Sequence, residues 1–327
     1  MTTIRAVWFE RLGDAVDVLR YGDFELPKPG SGEVLVEVQT RVVQPADFMF
    51  TRGTYRIKPH LPQVAGFEGV GYVTSLGLGV DPSLLGQRVA FRSPGAWATH
   101  ALVRPERTFR VPDGISDEVA SQFSLNPWTA WGLLHAANLS PGARVLATAG
   151  RSTVANVLTA LCRKRELDVI RIAREEGGVA NLDPPRQSAD SLSSLLELEP
   201  FLNGFDVVFD AVGGPDTLAL MQVVRPEGTL FSYGVLDDRP FSIRASTVLF
   251  RDLHWRGFGI NAFLETLSLE LRNHGATELW QLLHDQPELL PIAERAPLSR
   301  TVDAIRRLQS DDKLRRAGKL LLVNDPV

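Results

Sequence analysis

Four short apolar runs, at residues 144–149, 168–173, 205–211 and 228–233, are set apart by stretches with helical periodicity and constrain the second half of this chain. Strands of this length separated by helices close right-handed βαβ units into a parallel sheet. Residues 3–112 have another texture: β-rich runs at 4–9, 33–43, 69–76, 87–91 and 97–103 are broken by Pro/Gly turns such as Pro27-Lys28-Pro29-Gly30. That is the pattern of an irregular all-β unit. A predicted helix at 298–308 and a strand at 317–323 return to the first domain. The expected fold is α/β, with a β-rich domain from 1–115 and 291–327 and a doubly wound parallel-sheet domain from 116–290. With 327 residues, 44% of them hydrophobic, the chain has enough apolar surface for two cores.

Charge and cysteine content narrow the function classes. The formal net charge is −4, which gives no global attraction to nucleic acid or to an anionic membrane. Met1-Thr2-Thr3-Ile4-Arg5 leads directly into strand-like sequence, without the charged-then-apolar pattern of a signal peptide, and no run of about 18 apolar residues occurs. A cytoplasmic protein with neither nucleic acid nor membrane as partner is expected. Cys162 is the only cysteine, so no intrachain disulfide and no multi-cysteine zinc lobe can form. It falls at an apolar position of a predicted helix and reads as a buried structural thiol. His60, His100, His135 and His254 lack paired metal-binding spacing, and no Gly-x-Ser-x-Gly elbow is present.

Ligands of open parallel sheets bind at the carboxyl ends of the strands, where a βα turn offers backbone N–H groups and a helix N-terminus to phosphate. The candidate turn here is Ala149-Gly150-Arg151-Ser152-Thr153-Val154-Ala155, following the first strand. Gly150, Ser152, Thr153 and Val154 bring backbone close to a diphosphate, and Arg151 adds charge. Ser152 and Thr153 read equally as a plain N-cap. The second strand carries Arg171 and ends in Arg174, where an acidic residue would select NAD; arginine there suits the extra phosphate of NADP, so NADPH is the expected cofactor. Pairing of Arg174 with Glu175 or Glu176 is the competing reading. Gly213-Gly214 and Tyr233-Gly234 end two further strands at the same edge, and Tyr233 and Gly234 are counted with the cofactor residues. In the first domain, Gly53-Thr54-Tyr55 precedes the Gly-rich turn Gly66-Phe67-Glu68-Gly69-Val70-Gly71. A phenol, with a reference pKa near ~10, is protonated at neutral pH and can donate to a substrate oxygen, which makes Tyr55 the candidate catalytic residue.

These segments together carry a family resemblance. Ala46-Asp47, Gly53-Thr54-Tyr55, Leu61-Pro62, the Gly66–Gly71 turn, Asn126-Pro127-Trp128-Thr129-Ala130-Trp131, Asp210-Ala211-Val212-Gly213-Gly214 and Phe250-Arg251-Asp252-Leu253 occur in this order. The sequence resembles medium-chain dehydrogenase/reductases across nearly its whole length, most of all the zinc-free 2-enoyl thioester reductases and their quinone oxidoreductase relatives. The resemblance implies a GroES-like catalytic domain, a Rossmann domain and a homodimer. It also implies that Tyr55 contacts the substrate carbonyl or supplies the proton, that Asn126 and Thr129 lie near the nicotinamide, and that Arg174 binds the 2′-phosphate. Zinc-dependent members use a cysteine, a histidine in a Gly-His-Glu turn, and a further cysteine or carboxylate. This chain has Asp47 near the first position and Phe67 in place of the histidine, so no catalytic metal is expected.

Departures from the family pattern are also specific. Relatives usually have glycine at the positions of Thr153 and Ala155, Gly-Phe-Trp where this chain has Gly257-Phe258-Gly259, and asparagine at the position of Gln44. The Cβ of Thr153 pushes a diphosphate outward, and the missing tryptophan at 259 removes a wall of the substrate pocket. Residues 175–202 are shorter and less regular than in relatives, with a break at Asp183-Pro184-Pro185. The expected activity is NADPH-dependent reduction of an activated C=C bond, with an enoyl thioester on CoA or an acyl carrier protein as substrate. Quinone reduction and a noncatalytic accessory role are the alternatives.

Overall fold

The structure of the protein, a computed structural model, describes residues 2–183 and 186–326; Pro184 and Pro185, part of the break noted above, lie outside them. The chain divides into two compact units, one of Met1–Asn126 with Ala276–Val327 and the other of Pro127–Gly275. The first unit thus reaches beyond residue 115 and takes in chain before residue 291.

In the first unit the strand Val34–Val42 pairs antiparallel with Glu68–Leu76, His100–Val103 and Lys319–Val323. Glu68–Leu76 continues the sheet to Arg88–Arg92 and then Thr108–Arg110, while Ile292–Pro297 lies parallel to Lys319–Val323. The C-terminal strand thus lies within the sheet of this unit. Arg20–Leu26, Thr2–Phe9 and Gln63–Val64 make a separate three-stranded sheet. Period-2 alternation sends Val34, Val36 and Val38 inward, against Phe9, Phe50, Phe67, Phe91 and Trp97. Each such side chain contributes about 1.5–3 kcal/mol of burial.

One arginine is spent on this core. Arg41 is fully buried and donates to the carbonyls of Val38, Gln39 and Ala98 and to Asn324 Oδ1, tying its strand to the segment before His100 and to the C-terminus. Burial without a carboxylate partner pushes its guanidinium down to about 9.

In the second unit five parallel strands stand in the order Asp168–Glu175, Arg144–Ala147, Phe205–Asp210, Val224–Ser232 and His254–Gly257. The helices Thr153–Lys164, Leu192–Leu196 and Thr217–Val223 accompany them, and Leu146, Ile170, Leu195, Phe205, Val208 and Leu230 share one core. The expected parallel sheet is present, and two antiparallel strands not foreseen in the sequence extend it at one edge. Gly178–Asn181 runs antiparallel to Asp168–Glu175, and Ser188–Ala189 antiparallel to Gly178–Asn181. The cause is the connection: Glu175 and Gly178 face each other across the two-residue turn Glu176-Gly177, and a tight turn can join only antiparallel strands. The chain crosses over only later, passing the helix Leu192–Leu196 before it enters the parallel strand Phe205–Asp210. No helix among the described residues is long and apolar enough to cross a membrane.

The first unit also contains a buried capping box. Gln44 caps the helix Pro45–Thr51, its own N–H donating to Asp47 Oδ2 at 2.7 Å, while Asp47 Oδ1 is buried without a partner. Burial pushes the Asp47 carboxyl up to about 8, and burial raises Glu68 as well. An acid whose folded pKa is raised binds a proton on folding, so its contribution is complete below its unfolded pKa and is lost as pH rises through the folded value. Lys319, pushed down to about 8 by burial, changes stability only above that pH. Unfolding free energy should therefore fall between pH 5 and 7.5, and Asp47→Asn should flatten the slope by about 1.4 kcal/mol per pH unit. Denaturant titrations across that range check this; an unchanged slope would mean that Asp47 is ionised in the fold.

Candidate functional site

Tyr55 lies where a helix is forced to end. The helix Pro45–Thr51 passes through Arg52 to Gly53, whose φ of +70° is a left-handed conformation that glycine adopts without a Cβ penalty. The N–H groups of Thr54 and Tyr55 then both donate to Met49 O, at 2.9 and 3.1 Å, and fold the tyrosine back onto its own unit. Its ring packs on Phe67 with centroids 5.3 Å apart, and Phe67 packs in turn on Phe50 at 4.7 Å. Phe67 thus serves as the platform for the phenol. Arg92 Nη2 donates to the phenol oxygen at 3.1 Å.

Arg92 escaped the sequence reading, which ended its strand at Phe91. The strand Arg88–Arg92 includes it, and its register places it opposite Glu68. Arg92 is 7% exposed, and its Nη1 is buried without a hydrogen-bond partner. An arginine ending an apolar strand, opposite the glutamate of a buried turn, was the available signal.

Glu68 is the hub beneath this surface. It is buried and accepts from Gln44 Nε2 at 3.0 Å, Ser124 Oγ at 2.9 Å and the Leu125 N–H at 2.8 Å. Gln44 Oε1 in turn accepts from Asn126 Nδ2 at 3.4 Å, so the buried Asn126 amide is oriented through the same glutamate. Thr129, on the helix Asn126–Ala137, is buried in the second unit. Among the described residues, no group of three or more His, Cys, Asp or Glu side chains is placed to hold a metal ion.

The second unit gathers the other candidates at the carboxyl edge of its sheet. Ala149 turns the chain with φ +48°, and Gly150 donates its N–H to Ile172 O at 2.8 Å. A Cβ at Gly150 would lie 2.9 Å from Arg171 Cβ and 3.0 Å from Ile172 O, so only glycine fits this turn against the second strand. Ser152 is the N-cap of Thr153–Lys164 and accepts from the Ala155 N–H at 3.1 Å. The N–H groups of Thr153 and Val154, both buried residues of the first helical turn, make no hydrogen bond among the described residues. The Tyr233 phenol oxygen is buried close to the Ser152 side chain but outside normal hydrogen-bond geometry, and burial raises its pKa. Gly234 follows it against the backbone of Ala211.

The arginines divide by partner. Arg171 is held by Asp183, which accepts from both its backbone and its guanidinium, so this residue braces the strand. Arg151 reaches across to Glu175 at 2.5 Å and to Arg174 O at 3.1 Å, and Arg186 joins the same glutamate. Arg174 is left with Asp216 and Asp237 at 3.8 and 3.9 Å and a side chain 63% exposed. Its competing pairing with Glu175 is not made, because Arg151 and Arg186 hold that carboxylate below its usual range. Asp210, part of the family pattern but given no role in the sequence reading, fixes the adjoining loop: it accepts from Thr148 Oγ1, Thr217 Oγ1 and the N–H groups of Val212 and Gly213 at 2.9–3.2 Å.

Comparison with known proteins agrees with this layout. Residues 30–113 match the alcohol dehydrogenase GroES-like domain, and residues 189–322 match the zinc-binding dehydrogenase domain. The chain is similar to the mitochondrial enoyl-[acyl-carrier-protein] reductase of Bos taurus, 27% identical over 308 residues that cover 90% of this chain and 83% of the relative. Among solved structures it is similar to a mycobacterial protein complexed with NADPH, with a TM-score of 0.81 and 24% identity over 98% of this chain and 99% of the other. A quinone oxidoreductase of Pseudomonas syringae gives a TM-score of 0.81 at 21% identity, with the same coverages. With both domain types matched in order along one chain and each seen in the fold, this protein belongs to the medium-chain dehydrogenase/reductase family.

Proposed function

We propose that the protein is an NADPH-dependent, zinc-independent reductase of activated C=C bonds, with a 2-enoyl thioester on CoA or an acyl carrier protein as substrate. The observation that carries this reading is Tyr55. Its ring is seated on Phe67 and its oxygen accepts from Arg92, so the phenol's own hydrogen remains for another acceptor.

The residues of the second unit fit a dinucleotide. Two uncommitted N–H groups at Thr153 and Val154 begin a 12-residue helix, where the dipole favours anionic oxygens. The buried Tyr233 hydroxyl beside Ser152 offers a further polar contact, and exposed Arg174 suits a 2′-phosphate. When bound, NADPH supplies hydride for the β-carbon of the conjugated acceptor. Negative charge then develops on the substrate carbonyl oxygen, and Tyr55 donates a hydrogen bond to it or gives up the proton required at the α-carbon. Asn126, fixed through Gln44 and Glu68, and buried Thr129 are proposed to orient the reacting groups. Zinc independence rests on the donor set: apolar Phe67 follows Gly66, and Asp47 is engaged in its capping box.

The strand His254–Gly257 is the edge of its sheet, every residue in it is exposed, and Trp255, Leu249 and Phe250 are large exposed apolar side chains beside it or on it. An open edge of this composition supports a homodimer joined there.

Two outcomes are expected. Tyr55→Phe should lower turnover of a trans-2-enoyl thioester with NADPH by about 100-fold while thermal stability is kept. The loss should be larger with the thioester than with a quinone, and unchanged turnover with both would remove Tyr55 from the chemistry. A protein that reduces only quinones, with or without Tyr55, would be a quinone reductase. In light scattering the wild type should have the mass of a dimer and Trp255→Lys that of a monomer; a wild-type monomer at micromolar concentration would contradict the proposed assembly.

A further inference from the structure

We propose that Arg92 is a positioning residue for the reaction: its Nη2–H holds the Tyr55 oxygen so that the phenol O–H is left directed to the substrate. The inference rests on the reading of Tyr55 given above and extends it to a residue that the family resemblance does not supply.

Arg92 is badly matched to a purely structural role. Taking a guanidinium out of water is strongly unfavourable unless paired charges and hydrogen bonds replace the water. Arg92 is 7% exposed, has no carboxylate oxygen within 4 Å among the described residues, and has the Tyr55 phenol as the only hydrogen-bond acceptor of its side chain. Its Nη1 is buried and unpartnered. Glu68, opposite it in the ladder, attracts it at longer range, but the glutamate's oxygens are occupied by Gln44, Ser124 and Leu125. Arg41 makes the contrast: it is just as buried, yet spends its donors on three backbone carbonyls and an amide oxygen. Arg41 is a brace, whereas Arg92 is aimed at one phenol.

The geometry has a chemical consequence. A phenol has one hydrogen to donate and oxygen lone pairs to accept. Arg92, which can only donate, fills an acceptor position and fixes the phenol's torsion without competing for its hydrogen. A donor into the oxygen also polarises the O–H, and the contact strengthens as negative charge accumulates on the phenol during the reaction. Phe67 fixes the ring plane and Arg92 the oxygen, so the hydroxyl is held from both ends.

A double-mutant cycle on kcat tests this, using the full chain with NADPH and a trans-2-enoyl thioester. Arg92→Met should lower kcat about 10-fold, with KM and NADPH affinity within about 2-fold of wild type, and Arg92→Lys should recover part of the loss. In the Tyr55→Phe background the same Arg92→Met change should alter kcat less than about 2-fold, because its effect passes through the phenol oxygen. An equal loss in both backgrounds would overturn the proposal, as would no loss in the wild-type background. Should Arg92→Met fail to fold, Arg92→Gln, which keeps an N–H without the charge, takes its place in the cycle with the same criteria. If Tyr55→Phe alone leaves kcat unchanged, the Tyr55 reading fails first and this proposal with it; if Tyr55→Phe is slow but the cycle is additive, only the role of Arg92 fails.

Discussion

The first unit depends on one buried carboxylate. Glu68 is buried and has no ion pair within 4 Å among the described residues, so its stability rests on three donors brought from two separate parts of the chain. Those donors are Gln44, at the start of the helix that leads to Tyr55, and Ser124 and Leu125, which precede Asn126. Losing any one of them would leave a buried acceptor short, and the remaining contacts would shift. The helix leading to Tyr55, the register of Arg92 and the orientation of Asn126 are therefore consequences of satisfying Glu68.

The second unit is organised on the same principle, with Asp210 in the corresponding part. Its oxygens collect two hydroxyls and two backbone N–H groups, which pins the loop after Phe205–Asp210. Around it the sheet is extended: the hairpin at Glu176-Gly177 adds two antiparallel strands and carries the second strand to Glu175. That extension is what lets Arg151 span from the first turn to Glu175 and leaves Arg174 turned outward. A local change in connectivity thus sets the charge arrangement around Arg174.

Much of this was legible in the residues. Alternating valines placed Val34–Val42, four apolar runs located four of the five parallel strands, and the single cysteine proved buried, its thiol pushed up to about 12 by burial. What the residues did not disclose were effects of pairing. The antiparallel return at Gly178–Asn181 depends on turn length rather than periodicity, and the edge strand His254–Gly257 is too short and too exposed to carry a periodic signal. Arg171 and Arg174 look alike in sequence, yet Asp183 captures one and leaves the other. Arg92 gained its meaning only from the register opposite Glu68 and the backward fold of Tyr55.

The central claim is that the carboxyl edge of the second unit remains a dinucleotide site although Thr153 and Ala155 stand where relatives usually have glycine. The most direct test is an equilibrium titration of the purified protein with NADPH and, separately, NADH, followed by nicotinamide fluorescence. The account predicts saturable NADPH binding at least about 10-fold tighter than NADH, a difference of about 1.4 kcal/mol from the 2′-phosphate. No binding of either cofactor would contradict it and leave a member of the family that has kept the fold without the chemistry.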